Sequence, residues 1–146
     1  MFFNKLKKII NLPLNRKIII LEAVFWLPVM KFIIHFIPMK IYTPFILGEV
    51  LKVTSENEIR NKEQLFENMK WGINLVSEKM PWNKKCFAMA ATAKIMLRYR
   101  GINSTLYLGL SKKENQRLGA HAWLRAGNFY ITGGDGKGYT VVSYFS

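Results

Sequence analysis

The chain has 146 residues, half of them apolar and 14% aromatic, which suits one packed core, is short for two full domains and excludes a disordered chain. A single cysteine excludes an internal disulfide, and with only two histidines there are too few ligands for a zinc site of the usual spacing. The net charge of +13 gathers at both ends, since residues 1–52 and 81–146 are strongly basic while 53–80 are nearly balanced; this suits an acidic partner, an anionic membrane or nucleic acid, or simply a solvated Lys-rich surface.

The N-terminus has a basic start but no run leading to a small-residue cleavage site, so it does not read as a signal peptide. Residues 18–47 are very apolar, yet Glu22, Lys31, His35 and Lys40 interrupt them, as do Pro28, Pro38 and Pro44. No uncharged run reaches the roughly 18 residues of a spanning helix. The stretch is expected to form two or three short helices broken at the prolines, buried against a core or partner or lying on a membrane.

Residues 54–80 predict a helix. Ser55 and Glu58 have capping-box spacing, and Ile59, Phe66, Met69, Ile73, Val76 and Met80 make one apolar face that Pro81 ends. A second helix is expected over 83–101, with Asn83 as N-cap, Gly101 as C-terminal stop, and Met89, Ala90, Ala93, Met96 and Leu97 buried. After Gly101 the period changes to two. "STLYLGL", "HAWLRA", "FYITG" and "YTVVSYF" read as four strands, the middle two joined by a Gly-Asn hairpin. Helices followed by an antiparallel sheet of about four strands make an α+β domain.

Three residues carry the candidate chemistry. Cys86 falls in the first turn of its predicted helix, where free N–H groups, the helix dipole, Lys84 and Lys85 all favour a thiolate. The alternative is a small buried core residue. His121, at the start of a strand, has the titration range of a general base for a thiol, or is an ordinary structural histidine. Asp135, the only aspartate, can orient an imidazole, or can be a turn residue of "GGDGKG". Asn128 is a fallback orienter, although it sits in the predicted hairpin turn. Cys on a helix start, His on a strand and an acid beyond the next strand is the order of papain-like and transglutaminase-like cores.

"MPWNKKCFAMAATAKIMLRYRGI", "LGAHAWLRAGNFYITGG" and "YTVVSYF" resemble the transglutaminase-like leader peptidases of lasso-peptide biosynthesis, a microcin-processing family, and most closely the standalone protease half of their split B protein. The motifs are Pro81-Trp82, Cys86, residues 96–102, Ala120 to Trp123, and the closing aromatic strand; the resemblance covers about residues 76–146. It implies a papain-like/transglutaminase-like core over 53–146, preceded by an apolar, basic helical region over 1–52. It implies a cysteine peptidase without metal or other cofactor that removes the leader from a ribosomally made precursor, with Cys86 as nucleophile, His121 as base and Asp135 as orienter. Its implied partners are the precursor peptide, a small leader-recognition protein and a macrolactam-forming cyclase. The implied setting is cytoplasmic, with peripheral membrane association where residues 18–47 meet lipid.

Two other readings stay open. The same residues could transfer an acyl group to an amine instead of to water. A non-catalytic basic module for a membrane or nucleic acid is the other, although no nucleic-acid motif is present and the expected partners do not include nucleic acid.

Overall fold

A computed structural model describes residues 7–50, 61–83, 85–112 and 117–146. Among the described residues, helical elements come first: α1 (Leu14–Phe36), α2 (Met39–Tyr42), a π-helical turn Thr43–Leu47, α3 (Glu63–Lys79) and α4 (Cys86–Tyr99). Four strands follow: β1 (Thr105–Lys112), β2 (Leu118–Ala126), β3 (Phe129–Thr132) and β4 (Thr140–Phe145). They form one antiparallel sheet in the order β3-β2-β1-β4. The α+β architecture is the one expected from the sequence.

The layers follow from side-chain periodicity. Along β2, Ala122, Leu124 and Ala126 are buried in the helix-side core, and β1 adds Leu106. Helix α4 lies on this face. Its alanines Ala90, Ala91 and Ala93 let it approach closely, with Met96 and Leu97 filling the remaining space. Helix α3 contributes Phe66, Met69, Ile73 and Val76, four of the predicted face, and packs on α4 and β3. Helix α1 covers α3 and α4 with Ile19, Ala23, Leu27 and Met30. Beside β4, Glu49 and Ser146 exchange backbone hydrogen bonds, and Val50 bridges Phe145.

Three expectations need correction. Pro28 does not break the chain: α1 is one continuous helix of 23 residues around it. Proline in a helix interior costs about 3 kcal/mol, but Leu27 and Met30 are buried on either side of it and their burial offsets that cost. Pro38, immediately before α2, and Pro44, in the π-helical turn, do mark interruptions. Second, α3 begins at Glu63 after Lys62, with Asn61 at positive φ, so it starts later than predicted; the Ser55–Glu58 capping box lies outside the described residues. Third, the N-cap of α4 is Lys85 rather than Asn83. The Asn83 carbonyl accepts from Lys31 Nζ at 3.4 Å, and the Lys85 ammonium donates to the Ser77 carbonyl, tying α4 to the end of α3.

By length and composition α1 is apolar enough to cross a membrane, although only about a fifth of its apolar window is buried. Leu14, Ile18, Leu21, Phe25, Phe32 and Phe36 recur at helical spacing and are exposed opposite the buried face. The helix is thus apolar on two sides, one packed on the core and one outward.

Candidate active site

Because Lys85 is the cap, Cys86 is the first residue of α4, and its backbone N–H is among the amides with no carbonyl one turn earlier to bond. Cys86 is half-buried. Of the two lysines expected to favour a thiolate, Lys85 is engaged with Ser77, and Lys84 lies outside the described residues.

His121 is presented by β2, opposite Gly109 of β1. Cys86 and His121 line one cavity of about 690 Å³, bounded by Phe87 from α4, Leu108 and Leu110 from β1, and Met39. The volume lies in the range of ligand sites, and the mostly apolar wall suits uncharged side chains. Both residues singled out as nucleophile and base therefore border this cavity, Cys86 from the start of α4 on the helix side of the sheet and His121 from β2.

Sheet alternation puts His121, Trp123 and Arg125 on the strand face away from Ala122 and Leu124. There the His121 ring stacks with Trp123 at 5.9 Å between centroids and leans on Tyr139 at 4.8 Å. Trp123 in turn stacks on Tyr107, and Tyr107 on Tyr144. An aromatic row thus crosses β4, β1 and β2 and fixes the plane of the imidazole. The motif "AHAW" pointed to Trp123; Tyr107 and Tyr144 are supporting residues that alternation in the strands could have marked, and Tyr139, just before β4, is one it could not.

The ring is also held through a nitrogen. His121 Nε2–H donates to the main-chain carbonyl of Gly133 at 2.6 Å. A carbonyl only accepts, so in the neutral ring the proton sits on Nε2 and Nδ1 carries the free lone pair. Gly133 follows β3 at a φ of 74°, and a Cβ there would collide with the Ala122 carbonyl and lie 2.8 Å from Trp123 Cβ. The close approach of this turn to β2 therefore requires glycine.

Asp135 is exposed and does not line the cavity. Its Oδ1 accepts from the backbone N–H of Lys137 at 3.0 Å, an Asx-type turn. Asn128 is exposed in the β2–β3 hairpin. His35, on α1, is exposed with its ring edge-on to Phe36.

Residues 40–144, more than two thirds of the chain, match the family model described as the transglutaminase-like superfamily. The match contains Cys86, His121, strands β1 to β3 and all of β4 but its last residue. A search of the curated proteins and one of the solved structures each return no match.

Proposed function

This chain belongs to the transglutaminase-like superfamily, and from that premise we propose that it is a cysteine peptidase that removes the leader from a ribosomally made lasso-peptide precursor. The observation that carries the reading is the shared cavity of Cys86 and His121. The lasso assignment rests on the motifs around Pro81-Trp82, Cys86 and Ala120 to Trp123.

In this reading the Cys86 thiol gives its proton to His121 Nδ1, and Sγ attacks the carbonyl carbon at the leader–core junction. The Cys86 backbone N–H, at the start of α4, faces the developing oxyanion. Collapse of the tetrahedral intermediate breaks the C–N bond. His121 Nδ1–H protonates the departing core amine, leaving the leader as a thioester on Sγ. Water, losing a proton to Nδ1, then attacks the thioester, releasing the leader carboxylate and restoring the thiol. The freed core amine passes to a macrolactam-forming cyclase. A small recognition protein holds the leader by strand addition.

Region 1–52 would bring the enzyme to its partners or to a membrane surface. The apolar outer face of α1, beside basic residues such as Lys7, Lys8 and Lys40, supports a helix lying in the interface plane. Its opposite side is already packed on α3 and α4.

Acyl transfer to an amine uses the same first half-reaction. Cleavage in ¹⁸O-water separates the two: a peptidase leaves one ¹⁸O in the leader carboxylate, whereas a transferase leaves none and joins the leader to an added amine.

A further inference from the structure

The ring partner that a cysteine–histidine site requires is, in this chain, a main-chain group. We propose that the Gly133 carbonyl orients His121, and that Asp135 is a positioning residue that acts through the turn carrying that carbonyl, by its side-chain bond to the Lys137 amide. The inference rests on the peptidase reading of Cys86 and His121.

Three observations carry it. The 2.6 Å bond from His121 Nε2 ends on Gly133. The Asp135 carboxylate is exposed and satisfied by a backbone N–H two residues on. The turn between them is tightly built: Tyr139 N–H closes onto the Gly136 carbonyl at 3.0 Å, and Tyr139 itself packs on the His121 ring. Asp135 thus shapes a turn that touches the imidazole twice, through the Gly133 carbonyl and through the Tyr139 ring, without touching it itself.

The chemistry follows. A carbonyl fixes the same tautomer that a carboxylate fixes, with the proton on Nε2 and the lone pair on Nδ1, but it brings no negative charge to the imidazolium that forms during attack. Orientation is then supplied by geometry, from Trp123 on one side and the turn on the other. What Asp135 contributes is an acceptor oxygen for the Lys137 N–H, and an asparagine side chain supplies the same oxygen.

The test uses the full chain labelled with ¹⁵N. Long-range ¹H–¹⁵N correlation reads the tautomer of each neutral histidine, and His35→Gln identifies the His121 signals, since these are the only two histidines. The expected result is a protonated Nε2 on His121, with both ring nitrogens unmoved in Asp135→Asn. A proton on Nδ1, or ring signals that shift in Asp135→Asn, overturns the proposal. Kinetics give a second readout. Asp135→Ala loosens the turn and should lower kcat about ten- to a hundredfold by misplacing the ring. Asp135→Asn should recover it to within about threefold, with an unchanged pH profile. A direct carboxylate–imidazole pair would instead make Asp135→Asn the damaging change, about 10⁴-fold. The tautomer measurement does not depend on cleavage, so failure of the peptidase reading, seen as cleavage by Cys86→Ala, is told apart from failure of this one.

Discussion

Gly109 stands directly opposite His121 across the β1–β2 ladder, and the Trp123 indole occupies the space where a Gly109 side chain would lie. A Cβ there would sit 2.7 Å and 2.8 Å from two Trp123 ring carbons and 2.9 Å from Tyr139 Cβ. These are the two rings packed on the imidazole. A residue without a side chain therefore sets the seat of the base. Gly109→Ala should cost about 1–3 kcal/mol by overpacking and reduce cleavage about tenfold or more by displacing the ring. Thermal unfolding and kcat, measured on the same preparation, check both.

Lys94 sets a pH dependence away from the site. It is buried in α4, and its ammonium donates to the Ser104 carbonyl at 2.6 Å and the Phe145 carbonyl at 3.4 Å. Desolvation, followed by repulsion from Arg98, lowers its pKa from 10.5 to about 8. Between those two values the unfolded chain holds a proton that the folded chain has released, so stability rises with pH from about 8 to 10.5. Below about 8 both states are charged and the full burial penalty is present. Lys94→Met should remove this rise, on the order of 3 kcal/mol across the window. Urea unfolding of both proteins at pH 7.5 and 10 gives the difference, and equal slopes with pH would count against it.

Much of the fold is legible in the sequence because burial writes a period. The apolar spacing of Phe66, Met69, Ile73 and Val76 marks the core side of α3, and alternation from Thr105 onward marks the sheet. The order Cys86 then His121 pointed to one cavity. What could not be read is decided by tertiary contacts. Pro28 stays within α1 because both sides of it are packed, which no local propensity reveals. Helix α4 starts at Cys86, with Lys85 bonded to Ser77 at the end of α3 and the Asn83 carbonyl to Lys31 of α1, contacts made outside the helix itself. The acceptor for His121 is a backbone carbonyl, and a scan for acids finds Asp135 two residues away because carbonyls have no residue type. Only the run of glycines after Thr132 hints that main chain comes close there.

The outer face of α1 should bind lipid. Full-length protein is expected to sediment with vesicles containing anionic phospholipid and far less with zwitterionic ones. Added salt weakens the basic contribution within a Debye length of about 10 Å at 0.1 M. Phe25→Asp with Phe32→Asp should abolish sedimentation while leaving helicity intact, since both side chains are exposed. Equal sedimentation with and without these changes would assign the face to something other than lipid.

Glu22 and Arg100 join α1 to the end of α4 through two contacts, at 2.9 Å and 3.1 Å. Both side chains are less than a third exposed, so the pair should exceed the usual surface value of up to about 1 kcal/mol. Glu22→Gln should lower stability by about 1–2 kcal/mol, and a double-mutant cycle with Arg100→Gln isolates the coupling. Independent, additive losses would remove the pair from the forces holding α1 in place.

The most direct test of the central claim is intact mass spectrometry of a lasso-peptide precursor incubated with its leader-binding protein and this chain, wild type beside Cys86→Ala and His121→Ala. The account predicts a leader-sized fragment and a free core peptide with wild type alone. Cleavage by Cys86→Ala, or an intact precursor in the wild-type reaction when the precursor is bound by its recognition protein, would contradict it.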